Sequence, residues 1–123
     1  VACKCTLSNK IKKIMRQIET EMNNAVRNKI AWSKNNTLTT FDNTLENCFI
    51  YLHGNHIATY NYANKKLQLF DGGWQSNTTK SRLNALLDEF DYGSFVFQKN
   101  WNWFLARNFN HNHKVDFVSG MTV

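Results

Sequence analysis

FIYLHGNHIATYNYANKKLQLF, residues 49–70, is the stretch that decides the fold. It contains three runs rich in aromatic and β-branched residues, at 49–52, 57–62 and 67–70. The short segments between them, 53–56 and 63–66, carry glycine, asparagine and lysine, and the first suits a tight turn with positive φ. The pattern therefore predicts three antiparallel strands in a meander.

The chain changes character on the C-terminal side of this meander, at DGGWQSNTTKSRLN, residues 71–84. Two glycines end the third strand, and Thr78 or Thr79 can cap a helix that runs to about residue 90. Segments 95–97 and 103–105 then predict a hairpin around residues 99–102, and 115–118 predicts a final strand.

On the N-terminal side, apolar residues recur at spacings of three and four between Leu7 and Ile30. This period predicts a long amphipathic helix over about 9–30, with Ser8 as its N-cap. Residues 33–37 are polar and read as a loop. The prediction is thus an α+β fold: a long N-terminal amphipathic helix, an antiparallel β-meander, one short helix, then a β-hairpin and a final strand.

Length and composition indicate one domain over residues 1–123. The apolar fraction is 42%, enough for a core, although a small one that a homodimer interface could supplement. Charge divides the chain into a basic helical segment, 1–34, and a charge-neutral α+β core, 35–123. The first holds eight cations against two acids and the second holds seven of each, so the whole net charge of +6 belongs to the first.

Such an uneven charge distribution is typical of surfaces that bind nucleic acid, an acidic protein or an anionic membrane, although it also fits a solvated helix face. The residues predicted to contact phosphates are Lys10, Lys12, Lys13, Arg16 and Arg27 on the helix, with Lys80 and Arg82 extending the surface. Lysines in the first turns of a helix oppose its macrodipole and lower its stability. Their presence there therefore favours a role in binding a partner.

Residues 72–82 form a second candidate site, a corner that suits a phosphate-bearing ligand. Free amides at a helix start attract anions, and threonine side chains add hydroxyl groups. Glycines let the backbone approach a ligand closely, and a tryptophan can stack on a base. The proposed ligand residues are Gly72, Gly73, Trp74, Thr78 and Thr79. The alternative is a structural corner in which the glycines turn the chain, Trp74 fills the edge of the core and a threonine caps the helix.

The hairpin from Gln98 to Phe104 alternates polar and aromatic residues beside Lys99. Alternation along a strand predicts that Trp101 and Trp103 share one face. That face could be a stacking surface for single-stranded nucleic acid or could pack under a helix.

No residue set suggests catalysis, a metal or a cofactor. Cys3, Cys5 and Cys48 lack the spacing of a zinc site, and the acids and the four histidines are dispersed. Cys48 fits a thiol in the core of a reduced protein. Because no catalytic set is evident, we expect a non-enzymatic protein. No apolar run approaches the length of a membrane span, so we expect no membrane partner.

The segments LHGNHIA (52–58), LFDGGW (69–74), TTKSRLN (78–84), VFQKNW (96–101) and Trp103-Phe104 together resemble a family of small tailed-phage proteins, including cyanophage proteins, without an assigned activity. The resemblance covers somewhat less than half of the chain and implies origin more than activity: a viral accessory protein acting in the cytoplasm of its bacterial host.

Three functions follow as hypotheses. The first is nucleic-acid binding through the basic N-terminal helix. The second is modulation of an acidic host or defence protein, with the helix docking through its apolar stripe. The third is sequestration of a nucleotide at the corner between Gly72 and Arg82.

Overall fold

The computed structural model describes residues 16–123 and confirms an α+β fold. The elements in chain order are α1 (Gln17–Arg27), β1 (Trp32–Lys34), β2 (Thr37–Phe41), β3 (Asn47–Leu52), β4 (Asn55–Asn61), β5 (Lys66–Leu69), α2 (Asn77–Phe90), β6 (Phe95–Lys99), β7 (Asn102–Arg107), β8 (Asn110–Asp116) and β9 (Met121–Thr122).

The larger sheet has six strands in the order β1-β2-β3-β4-β5-β9, and every pairing is antiparallel. Its centre is the predicted meander, β3 to β5. The prediction of a loop over 33–37 was wrong, because β1 and β2 form a hairpin there. Asn35 and Asn36, with φ of +50° and +65°, make its two-residue turn, and asparagine is one of the few residues that adopt this conformation readily.

The smaller sheet is antiparallel, with three strands in the order β6-β7-β8. The predicted hairpin is present, with Asn100 and Trp101 as its turn, and the predicted final strand is β8, which begins and ends earlier in the chain. A further short strand, β9, returns to the larger sheet beside β5.

One hydrophobic core joins both sheets and both helices. Alternate residues of β3 are buried, as expected for a strand with one face inside. The buried cluster includes Met22 and Val26 of α1, Ile50, Ile57 and Leu67 of the larger sheet, Leu83, Leu86 and Leu87 of α2, and Val96, Trp103 and Leu105 of the smaller sheet.

The first helix is short, and the prediction of a long helix over 9–30 was wrong. Arg16 has extended backbone, with φ −63° and ψ 147°, so the helix begins at Gln17. It ends at Arg27, and Lys29 follows with φ +56°, a left-handed conformation that stops a helix. Residues 9–15 and the proposed cap at Ser8 lie outside the described residues. The predicted apolar stripe is buried at Met22 and Val26.

The second helix has the predicted extent but a different cap. The hydroxyl of Ser76 accepts a hydrogen bond from the Thr79 backbone N–H at 3.1 Å. Thr78 and Thr79 therefore lie in the first turn of the helix, and neither of them is the N-cap.

Candidate nucleic-acid interface

Most of the predicted helix surface is committed to intramolecular contacts or lies outside residues 16–123. Lys10, Lys12 and Lys13 belong to the latter group. Arg16 is exposed at the start of α1. Arg27 forms an ion pair with Glu89 of α2 and a hydrogen bond with Asn24, so its charge is already partly balanced.

Arg82 is inside the protein. Its Nη1 lies 2.9 Å from Oε2 of Glu19, and both side chains are about 5% exposed. Its Nε donates to the hydroxyl of Thr37 at 3.1 Å, and Ser81 also donates to Glu19. The guanidinium thus ties α2 to α1 and β2, whereas its helical neighbour Lys80 is half-exposed.

The predicted corner surrounds an open cleft of about 370 Å³ between the β3–β4 turn and the start of α2. The residues that line it are Leu52, His53, Asn55, Ile57, Asp71, Gly72, Trp74, Ser76, Thr78 and Thr79. Four of the five predicted ligand residues are therefore brought together, and Gly73 adjoins them. Gly72 has φ +70°, and a Cβ there would lie 3.1 Å from Cβ of Asn55, so any larger residue would be strained and would crowd Asn55.

The polar groups of the cleft are largely used within the protein. The carboxylate of Asp71 accepts hydrogen bonds from the Gly73 N–H at 2.8 Å and from Gln75. The amide of Thr79 is bonded to Ser76, and the two hydroxyls lie 3.0 Å apart. Trp74 is 74% exposed at the rim. A carboxylate in the wall opposes a phosphate, because like charges repel at short range.

A different surface, the outer face of the smaller sheet, holds adjoining aromatic rings with cations beside them. In this sheet Val96, Trp103 and Leu105 point into the core. Because side chains alternate along a strand, the rows Phe95 and Ala106, Phe97 and Phe104, and Lys99 and Asn102 point the other way. We call the set of Phe95, Phe97, Phe104 and His111 the aromatic face.

The rings of the aromatic face touch one another. Phe97 and Phe104 lie parallel within 30°, with ring centroids 5.5 Å apart. His111 contacts Phe95 and Phe97 edge-on, at 5.0 and 4.7 Å. The three phenylalanines remain half-exposed and the imidazole is exposed. A row of adjoining rings at a sheet surface can accept stacked bases.

Cations border the aromatic face. The Nζ of Lys114 lies 5.8 Å from the Phe104 ring centroid, and Lys99 stands one row beyond Phe97. Within the described part of the chain neither lysine has an ion-pair partner. One acid, Asp116, lies opposite Phe104, so positive charge exceeds negative charge on this surface.

The two hairpin tryptophans do not share a face, contrary to the sequence prediction. Trp103 is 4% exposed and part of the core, whereas Trp101 is 89% exposed in the turn. The prediction failed because residues 100 and 101 form the turn and interrupt the alternation. The outward residue is Phe104, and the alternation of Phe95, Val96 and Phe97 is the sequence signal that could have identified this face.

Within residues 16–123, no group of three His, Cys, Asp or Glu side chains could hold a metal ion. Cys48 is a buried thiol, and burial raises its pKa to about 12. His56 is half-buried against Phe70, with ring centroids 4.3 Å apart, and burial lowers its pKa. Neither described helix combines the length and apolar character that crossing a bilayer requires.

A family model described as "Kyanoviridae Gp96 protein" matches residues 15–123 of the chain. The matched region includes both sheets and both helices of the fold. No curated protein and no solved structure matches the sequence.

Proposed function

The chain belongs to the Kyanoviridae Gp96 protein family of cyanophages, and from this premise we propose that it is a non-enzymatic phage accessory protein that binds single-stranded nucleic acid. The proposed binding site is the aromatic face with Lys99 and Lys114. We place the protein in the host cytoplasm, where viral and host nucleic acids are accessible.

The observation that carries the proposal is the row of half-exposed rings on a sheet whose opposite side packs Val96, Trp103 and Leu105 into the core. Every base has a π-face, so such rings bind unpaired bases with little regard to sequence. In a duplex these faces are covered by neighbouring base pairs. The geometry therefore favours single strands over duplex.

Charge supports the same partner. Lys99 and Lys114 stand beside the rings without an ion-pair partner in the described residues, in contrast to Arg27, Lys34 and Arg82, which each pair with a glutamate. Cations that are free to meet phosphates release counterions on binding, which gives a salt-dependent affinity. Lys10, Lys12, Lys13 and Arg16 would add to this attraction. Arg82 has no part in it, since it is buried.

The test is fluorescence anisotropy with labelled single-stranded DNA, single-stranded RNA and duplex DNA at several salt concentrations. The wild-type protein should bind single strands more tightly than duplex, with an affinity that falls as salt rises. Phe97→Leu and Phe104→Leu keep an apolar side chain but remove the ring. Each should weaken single-strand binding by about 1–3 kcal/mol, the usual contribution of one stacked base.

Matched controls lie on the larger sheet. Phe49 is also a half-exposed phenylalanine beside a histidine, with ring centroids 5.9 Å from His56, so Phe49→Leu should leave the affinity unchanged. Lys114→Gln should reduce the salt slope by about one unit, whereas Lys66→Gln in β5 should not. Equal binding of single strands by wild type, Phe97→Leu and Phe104→Leu would contradict the site.

A protein partner is the second candidate function, because the larger sheet also exposes apolar residues. Leu38 is 40% exposed, and Tyr51, His56 and Phe70 lie in ring contact on the outer side of β3 to β5. A host or defence protein could dock there. Capture from nuclease-treated host lysate that is abolished by Tyr51→Ser, and not by Phe97→Leu, would favour this function.

The cleft at residues 72–79 keeps the third hypothesis, a nucleotide or another small ligand, open to test. Its volume falls within the usual range for ligand pockets, although Asp71 in its wall opposes a phosphate. A thermal shift with a nucleotide that is lost in Trp74→Ala would support ligand binding there.

A further inference from the structure

Trp101 occupies an unusual place in the fold. It is 89% exposed and has φ +68°, directly after Asn100 with φ +53°. These two residues form the turn between β6 and β7, in which both positions require positive φ. Such turns favour asparagine, aspartate or glycine, and a bulky residue at positive φ is a strained choice. Backbone strain of this kind clusters at sites where a side chain serves a function.

The turn between β7 and β8 provides an internal comparison. Phe109 occupies the equivalent second position with φ +57°, after Asn108 with φ +57°. Its ring packs on Tyr92, with centroids 4.9 Å apart, and lies close over Gly93. Packing therefore explains the aromatic residue at Phe109. Trp101 makes no ring or cation contact with any described residue, so intramolecular packing does not explain it.

The neighbours of Trp101 are polar. Lys99, Asn100 and Asn102 surround it along the hairpin, and all three are exposed. A tryptophan that inserts into a protein pocket is usually flanked by other residues that exclude water. Amides that can bond base edges, with a cation for phosphate, suit a nucleotide better.

The position of Trp101 continues the aromatic face. The Phe97 and Phe104 row is followed by the Lys99 and Asn102 row, and the turn comes next. At the rise of a β-strand, this places the turn roughly 7–10 Å beyond the stacked rings. A single strand lying along the face toward the turn would pass Lys99 and then reach the indole.

We propose that Trp101 stacks on an unpaired base of the same strand that binds the aromatic face, and that it extends that site past the edge of the sheet. The inference rests on the proposed function. It assigns the turn as a binding element in addition to its structural role of joining two strands.

The test compares Trp101→Gly with Phe109→Gly in the full chain, by anisotropy with labelled single-stranded DNA and by urea unfolding. Glycine relieves the strain of positive φ at both positions. Trp101→Gly should weaken single-strand binding about 10- to 100-fold, as expected for one stacked base, while its unfolding midpoint stays the same or rises. Phe109→Gly should show the reverse: affinity within about twofold of wild type and a lower unfolding midpoint.

The outcomes separate the inference from the function on which it rests. If Phe97→Leu weakens binding but Trp101→Gly binds like wild type, the aromatic face stands and the role of Trp101 is overturned. A protein contact would then account for the exposed indole. If the wild-type protein binds no single strand even at low salt, the proposed function and this inference both fail.

Discussion

Arg82 shows how a single residue can mislead when its charge is considered without its position on the helix. In the sequence it follows two threonines and a lysine at a helix start, which indicates an anion site. In the structure it lies on the same side of α2 as the buried residues Thr79, Leu83 and Leu86, where its guanidinium meets Glu19. Helical spacing from Leu86, four residues further on, was the signal that favoured burial, and no sequence feature identified Glu19 as the partner.

The buried pair predicts strong coupling between the two residues. Arg82→Met or Glu19→Met alone should lower the free energy of unfolding by about 3–5 kcal/mol, because each leaves one charged side chain buried without its partner. The double variant Glu19→Met/Arg82→Met should cost less than either single change, since no charge then remains buried. Urea unfolding of the four proteins measures the coupling.

The exposed pair of Lys34 and Glu21, with Nζ and Oε2 3.1 Å apart, is the control for this cycle. Glu21→Gln should change the free energy of unfolding little, because solvent already screens both charges.

Additive effects of Glu19→Met and Arg82→Met on the free energy of unfolding would mean that the two buried side chains do not stabilise each other.

At the scale of elements, local patterns predicted the central strands and α2 well, because turn residues and apolar alternation act over short distances. The predicted loop over 33–37 covered most of β1 and the first residue of β2, because Asn35 and Asn36 read as a loop although they form a tight turn between strands. The start of α1 was missed because the apolar period continues upstream of Arg16, whose extended backbone no periodicity indicates.

The cap of α2 is the element-level detail that mutation can check. Ser76→Ala removes the acceptor for the Thr79 N–H and should lower the free energy of unfolding by about 1 kcal/mol. Thr78→Ala, in the first turn, should cost less than half of that. Chemical denaturation of both variants decides between Ser76 and Thr78 as the cap, and a larger loss in Thr78→Ala would contradict the structure.

The candidate site was only partly predictable. The corner residues Gly72, Trp74, Thr78 and Thr79 do meet, because each follows or precedes an element that was correctly placed. The aromatic face was not identified, because its composition depends on which residue of the hairpin begins the turn. A shift of one residue at a turn moves every later side chain to the opposite face.

At the scale of the whole molecule, residues of both sheets and both helices contribute to one buried cluster. We therefore expect the predicted single domain to unfold in one cooperative transition. Urea curves followed by far-UV circular dichroism and by tryptophan fluorescence should coincide, since Trp32 of the larger sheet and Trp103 of the smaller sheet both pack in or against the shared core. Two separated transitions would contradict a shared core.

The strand order also has a consequence for how the chain assembles. Every strand pairing in the described residues joins neighbours along the sequence except β5 with β9, where Gln68 meets Thr122. Contacts between sequence neighbours cost little loop-closure entropy and form early, whereas distant ones form late. During synthesis on the ribosome, the edge of β5 therefore stays open until β9 emerges. Closing that edge is the last step in completing the larger sheet.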